Sequence, residues 1–456
     1  MTADKDFLGR EPIGRLLRKL SLPTVAAQLI NMLYNIVDRI YIGHIPVTGA
    51  LALTGMGVCM PVILIVSAFA ALIGFGGAPR ASIFLGKRDE DAAEQILGNC
   101  FTALLIAAAA LTAALLLFNR QLLLAFGASE KTIGCALSYM NIYTLGTVFV
   151  QITLGMNAFI TAQGFARTGM LSVLIGAVCN IVLDPLFIFA FHMGVAGAAW
   201  ATILSQAVSC TWVLAFLFGK KTLLRLRRRN LRPRAKILLP CLKLGTGTFI
   251  MQISESVITV CFNASLLKYG GDIAVGAMTI LYSVMQGALL PLQGVAQGAQ
   301  PILSYNFGAR HRGRVKETFL LLLKISLGYS ALLWALIMLL PHLFAGIFSS
   351  DAALVAFTVP ALRVYAASLG LFGAQVACQM TFTSLGDAKS SVEAAVMRKF
   401  VLLIPLIFLL PHLWTANPTF AVYLAEPVAD ACAVTFTVLL FRVRFRAALA
   451  SLPESS

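Results

Sequence analysis

The stretch Gly76-Gly77-Ala78-Pro79, which Gly86 follows, occurs again 222 residues later as Gly298-Ala299-Gln300-Pro301, which Gly308 follows. Further positions are identical at the same offset, including Gly49/Gly271, Met56/Met278, Tyr143/Tyr365 and Gly164/Gly386. Glycine and proline residues that recur together at a fixed spacing indicate an internal repeat of one structural unit. The chain therefore consists of two similar copies, at about residues 1–219 and 237–441.

The composition is that of a membrane protein. The chain has 456 residues, of which 59% are hydrophobic and only 12% are charged. A soluble domain carries about 25% charged residues. Apolar runs of about 18 or more residues recur along the whole sequence, and runs of that length are typical of membrane-spanning helices. We therefore interpret the chain as an all-α protein that crosses the membrane many times.

The apolar runs predict twelve spans, six in each copy of the repeat. Their approximate bounds are 16–42, 51–76, 93–118, 134–160, 168–190, 197–219, 237–266, 274–300, 318–340, 355–384, 393–413 and 418–441. Because six is an even number, both copies have the same orientation, as in secondary transporters whose substrate site lies near the membrane midplane between parallel repeats. The predicted organisation is an N-terminal lobe at 1–219, a basic linker at 220–236 and a C-terminal lobe at 237–456.

The distribution of charge predicts the orientation in the membrane. The formal net charge is +16, and thirty of the 35 lysine and arginine residues fall in the termini and the even-to-odd loops, or at their edges. By the positive-inside rule this places both termini in the cytoplasm, and we expect a multi-pass protein of the plasma membrane. The linker holds nine basic residues. We interpret it as a topogenic segment, with anionic lipid as a candidate contact, and expect no nucleic-acid binding.

The sequence shows none of the motifs of common catalytic sites. It has no phosphate-binding loop of the GxxxxGK[ST] type, its five histidines lack ligand spacing, and its nine cysteines lack zinc or redox spacing. No set of nucleophile and general base is visible. We expect a protein that is not an enzyme, that needs no cofactor, and that is driven by an ion gradient or by substrate flow.

Asn180 and Asp184 are polar residues deep in an apolar segment that runs from about Gly169 to Ala190. They are four residues apart, so one helix face carries both. Placing an aspartate at the centre of a span costs roughly 2.5–3.5 kcal/mol. Pro185 disturbs the helix beside them and leaves carbonyl groups without a backbone donor. These features predict a cation or proton site, with a polar contact between packed helices as the alternative.

Two more polar stripes predict a cavity. In span 1, residues 28, 31, 35 and 38 follow helical spacing and are Gln, Asn, Asn and Asp. Span 7 carries a similar stripe of Gln252, Glu255, Ser256, Thr259 and Asn263. Hydrogen bonding between helices is the alternative for the uncharged residues, but it is a weak explanation for Asp38 and Glu255. Asp430 in span 12 is a further candidate.

Several motifs together resemble those of the multidrug and toxic compound extrusion (MATE) transporters, most closely their MepA-like bacterial branch. They are the segments at residues 34–43, 180–185, 194–199, 297–301, 306–309 and 427–430. The resemblance implies antiport, in which Na+ or H+ enters while an organic compound, often a lipophilic cation, leaves. It places a cation site, with Na+ as its candidate metal, on Asp38, Asn180, Asp184 and Thr202. We predict a substrate cavity lined by Tyr34, Asn31, Tyr139, Asn157, Gln163, Gln252, Glu255 and Thr259.

Some members of that family use acidic residues of the C-terminal lobe instead. Glu255 matches one such position, but the acidic partner expected on span 10 is missing, which favours the N-terminal site. The expected partners are a small organic molecule and membrane lipid, and we expect a functional monomer. An exporter or flippase of a lipid-linked or cellular metabolite remains the main alternative, and a channel is a second one.

Overall fold

The computed structural model describes residues 6–46, 48–348 and 351–453, and within these ranges the chain forms helices and no β-strand. The outermost terminal residues, which the sequence places in the cytoplasm, lie outside the described residues. The N-terminal half contains the helices α1 (Phe7–Arg10), α2 (Ile13–Gly43), α3 (Gly49–Gly86), α4 (Glu90–Ala125), α5 (Ile133–Leu145), α6 (Thr147–Ala162), α7 (Ala166–Pro185) and α8 (Gly194–Phe218). A π-helical segment (Leu186–Ala190) follows α7, and a 3-10 turn (Arg228–Asn230) lies in the basic linker.

The C-terminal half repeats this arrangement. Its helices are α9 (Ala235–Gly308), α10 (Arg312–Leu339), α11 (Pro341–Phe348), α12 (Ala352–Tyr365), α13 (Leu369–Ser384), α14 (Ala388–Val396), α15 (Ile404–Leu413) and α16 (Pro418–Ala450). A second π-helical segment (Met397–Leu403) joins α14 to α15. It lies in span 11, and the first one lies in span 5, which is the corresponding span of the other copy.

Helix α9 is two spans that meet at Gly271. An unbroken helix of its 74 residues would be about 110 Å long, whereas the hydrocarbon core of a membrane is about 30 Å thick. Gly271 has φ 66° and ψ −163°, a conformation that glycine adopts readily. Both ends of α9 contact the same part of α3, because Gly76 meets Cys241 and Gly86 meets Tyr305. The chain therefore reverses direction at Gly271.

The described residues contain the twelve spans that the sequence predicts. Nine helices are long and apolar enough to cross a membrane, and two bent pairs are long enough together. The pair α5 and α6 is bent by 59°, and the pair α12 and α13 by 51°. Counting α9 as two spans completes the set. Several spans extend beyond their predicted ends. Helix α3, for example, continues to Gly86 rather than stopping near residue 76.

The glycines of the repeat make a symmetric contact between the two halves. A Cβ atom at Gly86 would collide with the Tyr305 carbonyl oxygen, and one at Gly308 would collide with the Ile83 carbonyl oxygen. Both pairs are related by the offset of 222 residues. Small residues allow spanning helices to approach closely in this way. The exact boundaries of the two lobes and the linker remain a prediction.

Three buried apolar clusters show where the lobes join. One cluster contains residues of the N-terminal half only, from Ile42 to Ala199, and a second contains residues of the C-terminal half only, from Ile258 to Ala429. The third combines both halves, with Leu8, Leu20 and Leu303 among its members. The lobes therefore share one core at the end where α2 begins, and each has a separate core towards the other end.

Candidate functional site

Four predicted residues meet inside the N-terminal lobe. The Asn180 side-chain amide donates to Asp184 Oδ1 at 3.4 Å and to Thr202 Oγ1 at 3.5 Å. Asp38 and Asp184 interact electrostatically, so their carboxyl groups are close neighbours. All four side chains are buried, none of them more than 6% exposed. We call Asp38, Asn180, Asp184 and Thr202 the N-lobe cluster.

The local structure of three helices brings the N-lobe cluster together. Asp38 lies near the end of α2, and Asn180 and Asp184 share one face of the last turns of α7. The α-helix ends at Pro185, where the sequence predicts a disturbance. A π-helical segment follows it. Such segments are frequent at functional sites. A Cβ atom at Gly197 would lie only 2.7 Å from the Phe187 carbonyl carbon, so this glycine lets α8 approach.

The N-lobe cluster contains oxygen atoms that lack a partner. Asp38 Oδ1, Asn180 Oδ1 and Asp184 Oδ2 are buried and accept no hydrogen bond within the described ranges. Most buried polar atoms in proteins have a partner. The Thr202 hydroxyl donates to the Ala198 carbonyl at 2.9 Å, which leaves its own oxygen able to accept. Carboxylate, amide and hydroxyl oxygens suit a small hard cation or a proton.

Two tyrosines complete this region. Tyr34 and Tyr139 lie close enough to Thr202 and Asp38 to interact with them electrostatically. The rings of Tyr139 and Tyr143 stack with a centroid distance of 6.1 Å. The structure therefore brings both of the predicted tyrosines to the N-lobe cluster.

The structure corrects the prediction for Gln163, which does not line a cavity. Its Oε1 accepts from the backbone amides of Leu223 and Leu224, both at 2.9 Å, and from the Thr222 hydroxyl at 2.8 Å. The residue is fully buried and anchors the start of the linker. Asn157 donates to the Gly169 carbonyl at 3.3 Å, which joins α6 to α7. Its predicted role in the cavity remains a prediction.

The other stripe residues lie on α2 and α9 and are less buried. Asn31 and Thr259 are exposed, and Gln252 is half-buried with an Oε1 that accepts no hydrogen bond among the described residues. Gln28 donates to Gln297 at 3.2 Å across the two halves. Their predicted place in a substrate cavity stays a prediction.

The C-terminal lobe contains an ion network that sequence reasoning did not find. Arg398 donates to Asp430 Oδ1 at 2.6 Å and to Glu426 Oε1 at 3.3 Å. Lys399 forms an ion pair of 2.7 Å with Glu255. These five residues are the C-lobe network. Two bases and three acids give it a formal charge of −1, and Glu426 Oε2 has no hydrogen-bond partner among the described residues.

The elements around the C-lobe network explain its geometry. The π-helical segment after α14 carries Arg398 and Lys399, while Glu426 and Asp430 share one face of α16. The Arg398 guanidinium also lies 4.6 Å from the centroid of the Phe372 ring. Each of these four charged residues is at most 7% exposed. Burial of charged groups is tolerated only when they are paired.

This arrangement corrects one count made from the sequence. The count of basic residues at loop edges includes Arg398 and Lys399, but the structure buries both in span 11 and pairs them with acids. Span 10 offers Glu255 no acidic partner, and the buried Gln375 of α13 carries no charge. Lys399 of span 11 pairs with Glu255 instead. The sequence features that indicate this network are two bases within an apolar run and two acids four residues apart in the next span.

The family model named MatE matches residues 23–186 and 248–409, one match in each copy of the repeat. The chain belongs to the MatE family. The multidrug export protein MepA of Staphylococcus saprophyticus is 25% identical over 427 residues, which is 93% of each chain.

Two solved structures show that the chain has the MatE fold. A MOP superfamily transporter from Pyrococcus furiosus has a TM-score of 0.91 at 24% identity, over 98% of this chain and 99% of that one. An outward-facing conformation of a multidrug resistance MATE family transporter gives the same four values. The similarity covers both lobes.

Proposed function

We propose that this MatE protein is a secondary active transporter that exports organic, mainly cationic compounds in exchange for Na+ or H+. The observation that carries the proposal is the meeting of Asp38, Asn180, Asp184 and Thr202, with unpaired oxygens, inside one lobe. The printed name of the MepA relative, a multidrug export protein, supports the class of substrate. Acids at Asp38, Asp184 and Glu255 favour a cation over an anion.

The shape of the molecule supports alternating access. The lobes share a core at the end where α2 begins, and that end carries most of the basic loops. The positive-inside rule makes it the cytoplasmic end, so the described conformation is closed towards the cytoplasm. We place the protein in the plasma membrane, with both termini in the cytoplasm and a monomer as the working unit.

Coupling begins with the charges of the N-lobe cluster. Two neighbouring buried carboxylates disfavour double ionisation unless a cation lies between them. An entering Na+ or H+ therefore lowers the negative charge of the pair by one, and for Na+ the oxygens of Thr202 and Asn180 supply further contacts. Ion and substrate each shift the balance of conformations only by their different affinities for the two states.

Helix α2 connects the N-lobe cluster to the other lobe. Pro23 lies within this helix and removes a backbone donor, which favours bending at that point. Next to it, the Thr24 hydroxyl donates to the Gly294 carbonyl of α9 at 2.6 Å. Because α2 is held at Thr24, a bend at Pro23 moves the later part of the helix, which carries Asp38, relative to the C-terminal lobe. Occupation of the ion site thus changes the cavity between the lobes.

The driving force depends on the stoichiometry. One charge that crosses a potential of 100 mV changes the free energy by about 2.3 kcal/mol. Exchange of one monovalent substrate for one monovalent ion moves no net charge. The concentration gradient of the ion alone then drives export.

The test is transport of a fluorescent lipophilic cation in proteoliposomes, with a Na+ gradient or a pH gradient imposed separately. We expect one gradient to drive uptake of the dye against its own concentration gradient. Asp184→Asn should abolish this uptake. The exposed Asp272→Asn is the matched control and should transport normally. If neither gradient drives any cation through the wild-type protein, the proposal fails, and export of a lipid-linked metabolite becomes the reading to test.

A further inference from the structure

We propose that a groove on the C-terminal lobe binds one anionic phospholipid. The groove has a volume of about 950 Å³ and lies between α10 and α16, with Ala374 and Cys378 of α13 on its floor. It is separate from both the N-lobe cluster and the C-lobe network. The inference does not depend on the proposed transport function, because it requires only that these helices span a membrane.

One end of the groove is strongly basic. Arg312 and Lys316 lie in the first two turns of α10, and Arg442 and Arg446 lie in the last three turns of α16. Within each pair the spacing of four residues places both side chains on one helix face. Lys316, Arg442 and Arg446 are exposed and form no ion pair with any described residue. Four cationic side chains therefore surround one opening.

The rest of the groove is apolar. The Phe319 ring of α10 stacks against Phe441 of α16 with a centroid distance of 4.4 Å, and its centroid lies 4.9 Å from that of Phe445. These rings join the two walls of the groove next to its basic end. Leucines of α10 continue the surface as far as Leu327. From Arg312 to Leu327 the helix rises by about 22 Å. That length reaches from the headgroup region to about the middle of a bilayer.

This combination selects the ligand. A soluble anion would use only the basic end, and a cationic compound would be repelled by it. A phospholipid with a negatively charged headgroup uses both parts, since its phosphate contacts the arginines and its acyl chain covers the apolar wall. Basic pockets between spans on the cytoplasmic side of a membrane are typical binding sites for such headgroups. The positive-inside orientation places this groove in the cytoplasmic leaflet.

The experiment measures lipid binding to the full-length protein in detergent by native mass spectrometry. Phosphatidylglycerol and phosphatidylcholine with identical acyl chains are added at increasing concentration. We expect phosphatidylglycerol to bind selectively, and Arg442→Gln combined with Arg446→Gln to weaken it by about thirty-fold, or about fivefold per arginine. Arg444→Gln is the matched control, because this exposed residue lies two positions from both arginines and does not line the groove.

A second arm separates a lipid from a free anion. Ala374→Phe narrows the apolar floor without changing any charge, and phosphatidylglycerol with six-carbon chains shortens the ligand instead. The proposal expects both changes to weaken binding, and expects inorganic phosphate to compete poorly. Equal binding of the two lipids by the wild-type protein would overturn the proposal. So would binding that ignores chain length and Ala374→Phe and is lost to millimolar phosphate, which would indicate a site for a free anion only.

Discussion

Lys399 and Glu255 form a 2.7 Å ion pair in which only one partner is fully enclosed. The Lys399 side chain is 4% exposed, whereas the Glu255 side chain is 35% exposed. Part of the Glu255 side chain therefore stays accessible while the residue is paired with Lys399. We expect a positively charged substrate, as proposed above, to contact the accessible part of Glu255 and to compete with Lys399.

The first prediction follows from this competition. Lys399→Gln removes the internal cation, so we expect the apparent KM for a lipophilic cation to fall by roughly tenfold, as expected when a charged hydrogen bond no longer competes. Release should become slower, and the maximal rate should fall. The measurement is dye transport in proteoliposomes at a range of dye concentrations.

Lys399→Arg is the matched control because it keeps the positive charge, and it should retain the KM of the wild-type protein. A pair with a purely structural role would behave differently. Lys399→Gln would then lower the yield and the melting temperature while its KM stayed the same or increased.

Arg398 carries the second prediction. It alone among the described residues pairs with both Glu426 and Asp430, so Arg398→Met removes the ion-pair partner of two buried acids. Breaking a buried ion pair from one side costs about 3–5 kcal/mol. We expect a large loss of thermal stability in detergent. Neutralising the partners as well, with Glu426→Gln and Asp430→Asn in the same chain, should recover most of it, and failure to recover would show that packing rather than charge is responsible.

The fold was predictable from the sequence because the strongest signals are positions where the structure accepts only one type of residue. Gly86 and Gly308 contact backbone atoms of the opposite half, so only glycine allows the two halves to approach there. The N-lobe cluster was predictable for a similar reason. An aspartate deep in an apolar run is costly enough that its presence indicates a function.

The C-lobe network was missed because its bases lie near the start of a span. A basic residue at such a position usually reaches the membrane surface, and only tertiary structure shows that Arg398 and Lys399 turn inward. Gln163 was misread for the opposite reason. A polar residue near the end of a span can bind a neighbouring loop, and its hydrogen bonds to Leu223 and Leu224 depend on where the linker folds.

The third prediction concerns the contact between the lobes. Gly86→Ala places a methyl group against the Tyr305 carbonyl, in the region where the lobes share a core. We expect this change to separate the lobes at the cytoplasmic end and to favour an inward-open state. Cysteine labelling from the cytoplasmic side, on residues introduced along α3, should increase severalfold. Gly57→Ala is the matched control, since an added Cβ there meets no atom within 4 Å, and equal labelling of the two variants would contradict the expected opening.

The last prediction tests ion binding without transport. If Na+ is the coupling ion, its binding to the folded N-lobe cluster should stabilise the protein, by about 2.7 kcal/mol at a concentration one hundred times its dissociation constant. The melting temperature in detergent should therefore rise with added NaCl relative to matched choline chloride, and Asp38→Asn and Asp184→Asn should each remove the rise. Glu255→Gln should keep it, because Lys399 rather than an inorganic ion already neutralises that carboxylate. A rise that persists in both aspartate variants would place the Na+ site elsewhere. The absence of any rise in the wild-type protein, together with transport driven by a pH gradient, would indicate that the coupling ion is H+.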